Sequence, residues 1–125
     1  MKPTEAEENY LEIILILGMM QTNVRAIDVA NRLERTRPST SEALKKLKDK
    51  KFINISSEGY ITLTDTGNKF ANATYDRFKC IYNLLKYLGV SEDVAFRDAC
   101  KIEHRISQES FEKLRKAQEQ FILND

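Results

Sequence analysis

Three side chains near the end of the sequence carry its densest local chemistry: Cys100, Glu103 and His104, in the run Cys-Lys-Ile-Glu-His. On a helix, positions i, i+3 and i+4 share one face, so a thiol, a carboxylate and an imidazole converge over adjacent turns. All three are ligand types for divalent transition metals. Spacing alone leaves a second reading open, a small core cysteine beside a surface Glu–His pair. His104 is the one histidine in the sequence, so His-rich metal centres are excluded and any bound metal needs sulfur or oxygen donors as well. Cys80 and Cys100, the two cysteines, make no disulfide framework.

A second chemistry lies in the distribution of charge. The 125 residues carry a formal net charge of +1, which argues against a blanket coat for nucleic acid or membrane. The stretch from Arg25 to Lys51, however, holds nine basic residues against four acidic ones, while Glu5, Glu7, Glu8 and Glu12 make the start of the chain acidic. Positive charge is thus concentrated where phosphate contacts would be needed.

The elements that must position these groups are readable from period and punctuation. Thr4 and Glu7 form a capping box for a first helix from about Glu5 to Gly18 or just beyond. A shorter helical pattern covers 26–33, and a third helix opens at Pro38 with Thr40, Ala43, Leu44 and Leu47 as its inward stripe. The short turn Glu34-Arg35-Thr36-Arg37 sets the second and third helices at a steep angle. The period then changes: Phe52, Ile53 and Ile55, the turn Ser56 to Gly59, and Tyr60 to Leu63 read as a two-stranded hairpin. Three helices and a hairpin make a winged helix-turn-helix. Thr64 caps a long helix that Gly89 stops, and its apolar residues cover more than one stripe, so it should bridge to a second helical unit. Ser91 and Ser107 are the expected N-caps of two further helices, 92–106 and 108–121.

The outward side of the third helix carries Ser39, Ser41, Glu42, Lys45 and Lys46. Short hydroxyls at its start allow close approach to base edges, and later lysines suit phosphates. With Arg25, Thr36, Arg37 and Pro38, these residues form the candidate DNA-binding set. A winged helix serving as a protein–protein module is the alternative.

Taken together, the sequence resembles the diphtheria-toxin-repressor (DtxR/MntR) family of metal-dependent transcriptional repressors across nearly its whole length. The resemblance rests on Glu8-Asn9-Tyr10-Leu11-Glu12, Val24-Arg25-Ala26, the run from Arg37 to Leu47, Gly59-Tyr60-Ile61-Thr62-Leu63-Thr64, and Asp98-Ala99-Cys100-Lys101-Ile102-Glu103-His104. It implies a mainly α-helical protein: a winged helix-turn-helix DNA-binding domain over 1–64 and a helical metal-binding and dimerisation domain over 65–125. It also implies a homodimer that binds an inverted-repeat operator when a divalent metal is present. The chain matches the short type, without the SH3-like domain of longer members.

The family's primary metal site maps onto Cys100, Glu103 and His104 together with Asn9, a position usually held by Met in iron-type and by Asp in manganese-type members. Glu12 matches a carboxylate ligand of the manganese type, or else is structural. The family's ancillary site falls on Phe78, Tyr82 and Phe96, all aromatic, so an apolar cluster is expected there and one regulatory metal per subunit at most. Thiolate favours softer ions, which makes Fe(II) the expected metal, with Mn(II), Co(II), Ni(II) or Zn(II) as other occupants. The alternative within the fold is a DNA-binding regulator that has lost metal sensing and answers to redox state through Cys100 or Cys80. No Gly-rich phosphate loop or nucleophile–base constellation is present, so no catalytic residues are expected. The most apolar run, 13–20, is shorter than the roughly 20 residues that span a bilayer, and a cytoplasmic location is expected.

Overall fold

Thr4 starts the first helix, α1 (Glu5–Met20), as its capping box requires. Its hydroxyl accepts the Glu7 N–H at 3.2 Å and its own N–H donates to the Glu7 carboxylate at 2.9 Å. Glu5, Glu7 and Glu8 fill the first turn, where the helix dipole favours negative charge. The helix continues past Gly18 to Met20. α2 (Ala26–Leu33) is followed by a tight turn in which Glu34 takes a left-handed conformation (φ 55°) and the Arg35 N–H closes on the Ala30 carbonyl. α3 (Arg37–Asp49) then begins at Thr36, whose hydroxyl accepts the Ser39 N–H at 3.2 Å, with Pro38 in the first turn.

The hairpin pairs β1 (Ile53–Ile55) with β2 (Ile61–Leu63) in antiparallel register, Ile53 opposite Leu63 and Ile55 opposite Ile61. Gly59 supplies the positive φ (86°) of the turn. The Ile61 N–H donates to the Val24 carbonyl at 2.8 Å, tying the sheet to the segment before α2. These elements enclose one core, with Leu11, Val29, Leu47, Phe52 and Ile53 at 1% exposure or less.

α4 (Asp65–Tyr87) starts at Thr64, whose hydroxyl accepts the Gly67 N–H at 3.1 Å. The computed structural model describes residues 2–121, which divide into two compact units inside α4, between Ala73 and Thr74. The expected boundary after residue 64 marks the start of α4, but Phe70 and Ala71 still pack in the first core. Of the expected second domain, 122–125 lie outside the described residues.

The second unit adds α5 (Glu92–Arg105) and α6 (Gln108–Phe121) to the end of α4. Ser107 caps α6 by accepting the Ser110 N–H at 3.1 Å. Ser91 stands at the cap position of α5 with extended backbone but forms no side-chain cap bond. That start is held by the Ala95 N–H on the Ser91 carbonyl and by Glu92 and Asp93 in the first turn. The second core is aromatic. Phe78 stacks on Tyr82 at 5.5 Å and meets Phe96 edge-on at 5.1 Å, the apolar cluster expected at these three positions. Arg77 clasps the unit, with Nη2 on the Ile106 carbonyl at 2.6 Å and its guanidinium over the Phe111 ring. Among the described residues no helix is long and apolar enough to cross a membrane.

Gly67 is fixed by close approach. A Cβ there would fall 1.9 Å from the Phe52 carbonyl oxygen, which also accepts the Thr64 N–H. We expect Gly67→Ala to destabilise the protein by about 2 kcal/mol through forced backbone displacement; an unchanged urea midpoint would contradict this packing.

Lys50 Nζ donates to both Glu7 oxygens, at 2.9 and 2.7 Å, joining the end of α3 to the start of α1. Partial burial pushes the Glu7 carboxyl up, but the Lys50 hydrogen bond and charge and the Thr4 N–H outweigh it and hold the group below its ordinary 4.5. A lowered folded value means that this stabilisation is present above 4.5 and is lost as pH falls through the folded value. The melting-temperature advantage of wild type over Glu7→Gln, worth about 1 kcal/mol at neutral pH, should therefore disappear in acid.

Candidate metal centre and DNA-reading surface

α3 separates its two sides cleanly. Thr40, Leu44 and Leu47 are buried, while Arg37, Pro38, Ser39, Ser41, Glu42, Lys45 and Lys46 are all exposed. The structure thus gathers seven of the nine candidate DNA-binding residues on one accessible helix. Thr36 is exposed too, but its hydroxyl is engaged in capping. Ser39, Glu42 and Lys46, with Arg35, line a cleft of about 380 Å³ whose far wall is Thr4, Ala6, Glu7 and Tyr10 of α1. Lys48, absent from the candidate set, is exposed on α3 as well. It lies three and seven residues from Lys45 and Ser41, a helical spacing that could have flagged it.

Arg25, the ninth candidate, stands apart from α3. Its Nη1 donates to the Glu58 carbonyl at 2.9 Å and its guanidinium lies 4.6 Å from the centre of the Tyr60 ring. The wing tip is also ordered from within: the Ser57 hydroxyl, the Glu58 backbone N–H and the Ser56 hydroxyl hold the Glu58 carboxyl below its ordinary value. Sequence reasoning missed this contact between Arg25 and the wing. An aromatic residue directly after the turn glycine, opposite an arginine far along the chain, leaves no local spacing signal.

The metal-ligand candidates fall on two helices, one in each unit. On α1, Glu12 is 1% exposed and Asn9, three residues earlier, is half-buried. On α5, Glu103 is 3% exposed, Cys100 is half-buried, and the His104 side chain is 9% exposed. On α5, helical geometry brings Cys100 and His104 each close to Glu103. The Cys100 Sγ lies within 4.8 Å of a Glu103 carboxylate oxygen, and the His104 Nε2 is 3.7 Å from the Glu103 Oε1. One thiol, one imidazole and one carboxylate, largely withdrawn from solvent, form a donor set that fits a borderline divalent ion. Cys80 differs: it is buried, burial pushes its thiol up, and its backbone carbonyl accepts the Gln118 side-chain amide at 3.2 Å.

Residues 64–121 match the family described as iron dependent repressor, metal binding and dimerisation domain. The transcriptional regulator MntR of Salmonella typhimurium is 34% identical over 108 residues, covering 86% of this chain and 69% of that protein. An uncharacterised helix-turn-helix-type transcriptional regulator from Methanocaldococcus jannaschii is 31% identical, covering 94% of this chain and 96% of its own. Among solved structures, a manganese-dependent transcriptional repressor in complex with manganese superposes with a TM-score of 0.79 at 25% identity, over 89% of this chain and 51% of that one. The chain thus spans about half the length of that structure. A winged helix-turn-helix, a helical unit bearing a thiol–carboxylate–imidazole face, and relatives at these identities lead to one assignment: the chain belongs to the DtxR/MntR family of metal-dependent transcriptional regulators.

Proposed function

We propose that this protein is a metal-activated, DNA-binding repressor of metal homeostasis that acts as a homodimer in the cytoplasm. The observation that carries the reading is the Cys100–Glu103–His104 face of α5, inside the segment that matches a metal-binding and dimerisation domain. Cys100, Glu103 and His104 would hold the ion, and Glu12 and Asn9 of α1 are the further donors that the family resemblance implies. Glu12 is preferred to Asn9 because an anionic oxygen binds a dication more strongly than a neutral amide oxygen does. When bound, the metal supplies a positive centre that compensates carboxylates which are otherwise expensive to bury. The chain's own residues do the rest. The operator is read by α3 through Arg37, Pro38, Ser39, Ser41, Glu42, Lys45 and Lys46.

The thiolate favours Fe(II); the name of a solved relative supports Mn(II) as an alternative occupant. Leu88, Val94, Ile102 and Phe121, exposed apolar side chains of the second unit, supply surface for a partner subunit. This is a binding function with no catalytic step. Redox control through Cys80 is disfavoured, since a buried thiol with a raised value forms little thiolate.

Metal acts on DNA binding through its differential affinity for the competent arrangement, and a coupling of about 1–3 kcal/mol gives roughly 5- to 150-fold. Operator affinity, measured anaerobically with Fe(II) or Mn(II) and again with chelator, should differ by this factor. Cys100→Ala and His104→Ala should abolish the difference; equal wild-type affinity in chelator would overturn the proposal. Lys45→Ala and Lys46→Ala should each flatten the slope of log affinity against log salt by about 0.9, the signature of one lost phosphate contact.

A further inference from the structure

The wing is too small to hold its own shape. Each strand has three residues, and a two-stranded hairpin is marginal in water without further packing. Its base is anchored by Ile53 and Ile61 in the core and by the Ile61 N–H on the Val24 carbonyl. The tip has its own turn bonds, Gly59 N–H to the Ser56 carbonyl at 2.9 Å and Tyr60 N–H to the Ser56 hydroxyl at 3.0 Å. These close the turn on itself. They do not fix its direction relative to the helices.

Arg25 supplies that fixation. It stands at the N-cap of α2, where its backbone N–H donates to the Asp28 carboxylate at 2.9 Å, and Asp28 also accepts the Gln21 side-chain amide at 3.0 Å. From this braced position the guanidinium reaches across to the wing, donating to the Glu58 carbonyl and covering the Tyr60 ring. Gly59 beside the guanidinium is demanded by its positive φ (86°), since a Cβ there would be in ordinary contact, 3.6 Å from the Arg25 Nη1. A planar guanidinium can donate and stack at once, which an ammonium cannot do in the same geometry.

Resting on the DNA-binding reading above, we infer that Arg25 is a positioning residue for DNA binding: it clamps the wing tip to the start of α2, so that the exposed tip residues Ser56 and Ser57 meet the duplex in register with α3. Tyr60 is the other jaw of the clamp. Contacts from such a tip to phosphate and sugar set orientation rather than sequence. The positive charge of Arg25 is therefore secondary to its shape, which sets this role apart from a plain phosphate contact.

Two measurements test the clamp, one without DNA. In the free protein, amide hydrogen exchange at Gly59 and Tyr60 should accelerate roughly 5- to 50-fold in both Arg25→Lys and Tyr60→Leu, the loss of one hydrogen bond and one cation–π contact, while the Leu47 amide in α3 is unaffected. With Mn(II) present, both variants should bind a short duplex, selected from a random pool by the wild-type protein, more weakly by a similar factor. The double variant should be no worse than the poorer single one. Unchanged wing exchange in Arg25→Lys, or wild-type affinity in that charge-conserving variant, would overturn the inference. If the wild-type protein selects no duplex, the DNA-binding reading fails while the exchange measurement still decides whether the clamp exists.

Discussion

Holding a carboxylate inside a protein costs several kcal/mol per ion unless opposite charge and hydrogen bonds offset it. This chain does so twice, at Glu12 and at Glu103. Neither position is needed for the helix that carries it: Leu11 and Ile14 already give α1 an apolar face, and Ala95 and Ala99 do the same for α5. In the proposed reading both would be donors to a dication, with Cys100 and His104 beside Glu103 on α5.

That requirement shapes the two units differently. In the second, the positions beside the donor helix are filled with aromatic rings, and Phe78, Tyr82 and Phe96 form a dry cluster against which Cys100 packs. A rigid apolar backing restrains the rotamers of the donors above it. In the first, α1 carries Glu12 and is joined by Glu7 to Lys50, the C-cap of α3. One helix thus bears a metal-ligand candidate and also grips the helix that carries the candidate DNA-binding side chains.

Much of this architecture was legible locally. The capping box at Thr4, the N-cap at Thr36, Pro38 in the first turn and Gly59 in the wing each act within a few residues of themselves, so their spacing identified elements that the structure reproduces with small shifts at the ends. The i, i+3, i+4 convergence of Cys100, Glu103 and His104 was legible for the same reason, because a helix fixes it without outside help. Ser91 shows the weakness of such signals. A residue type suited to capping marked the start of α5 correctly, yet the backbone and two acidic residues hold that start without its hydroxyl.

By itself, then, the sequence determined the order and kind of the elements, the concentration of basic residues around α3 and the donor types on α5, since all of these follow from neighbours along the chain. Tertiary structure decided which charged groups remain available. Lys50 and Arg25 belong to the same basic stretch as Lys45 and Lys46, but one is taken by Glu7, 43 residues away, and the other by the wing, 33 residues away. Local periodicity does not encode pairings at that separation. They exist because folding a core of Leu11, Val29, Leu47 and Phe52 brings distant segments side by side, and that core also set how deeply the division of the chain falls within α4.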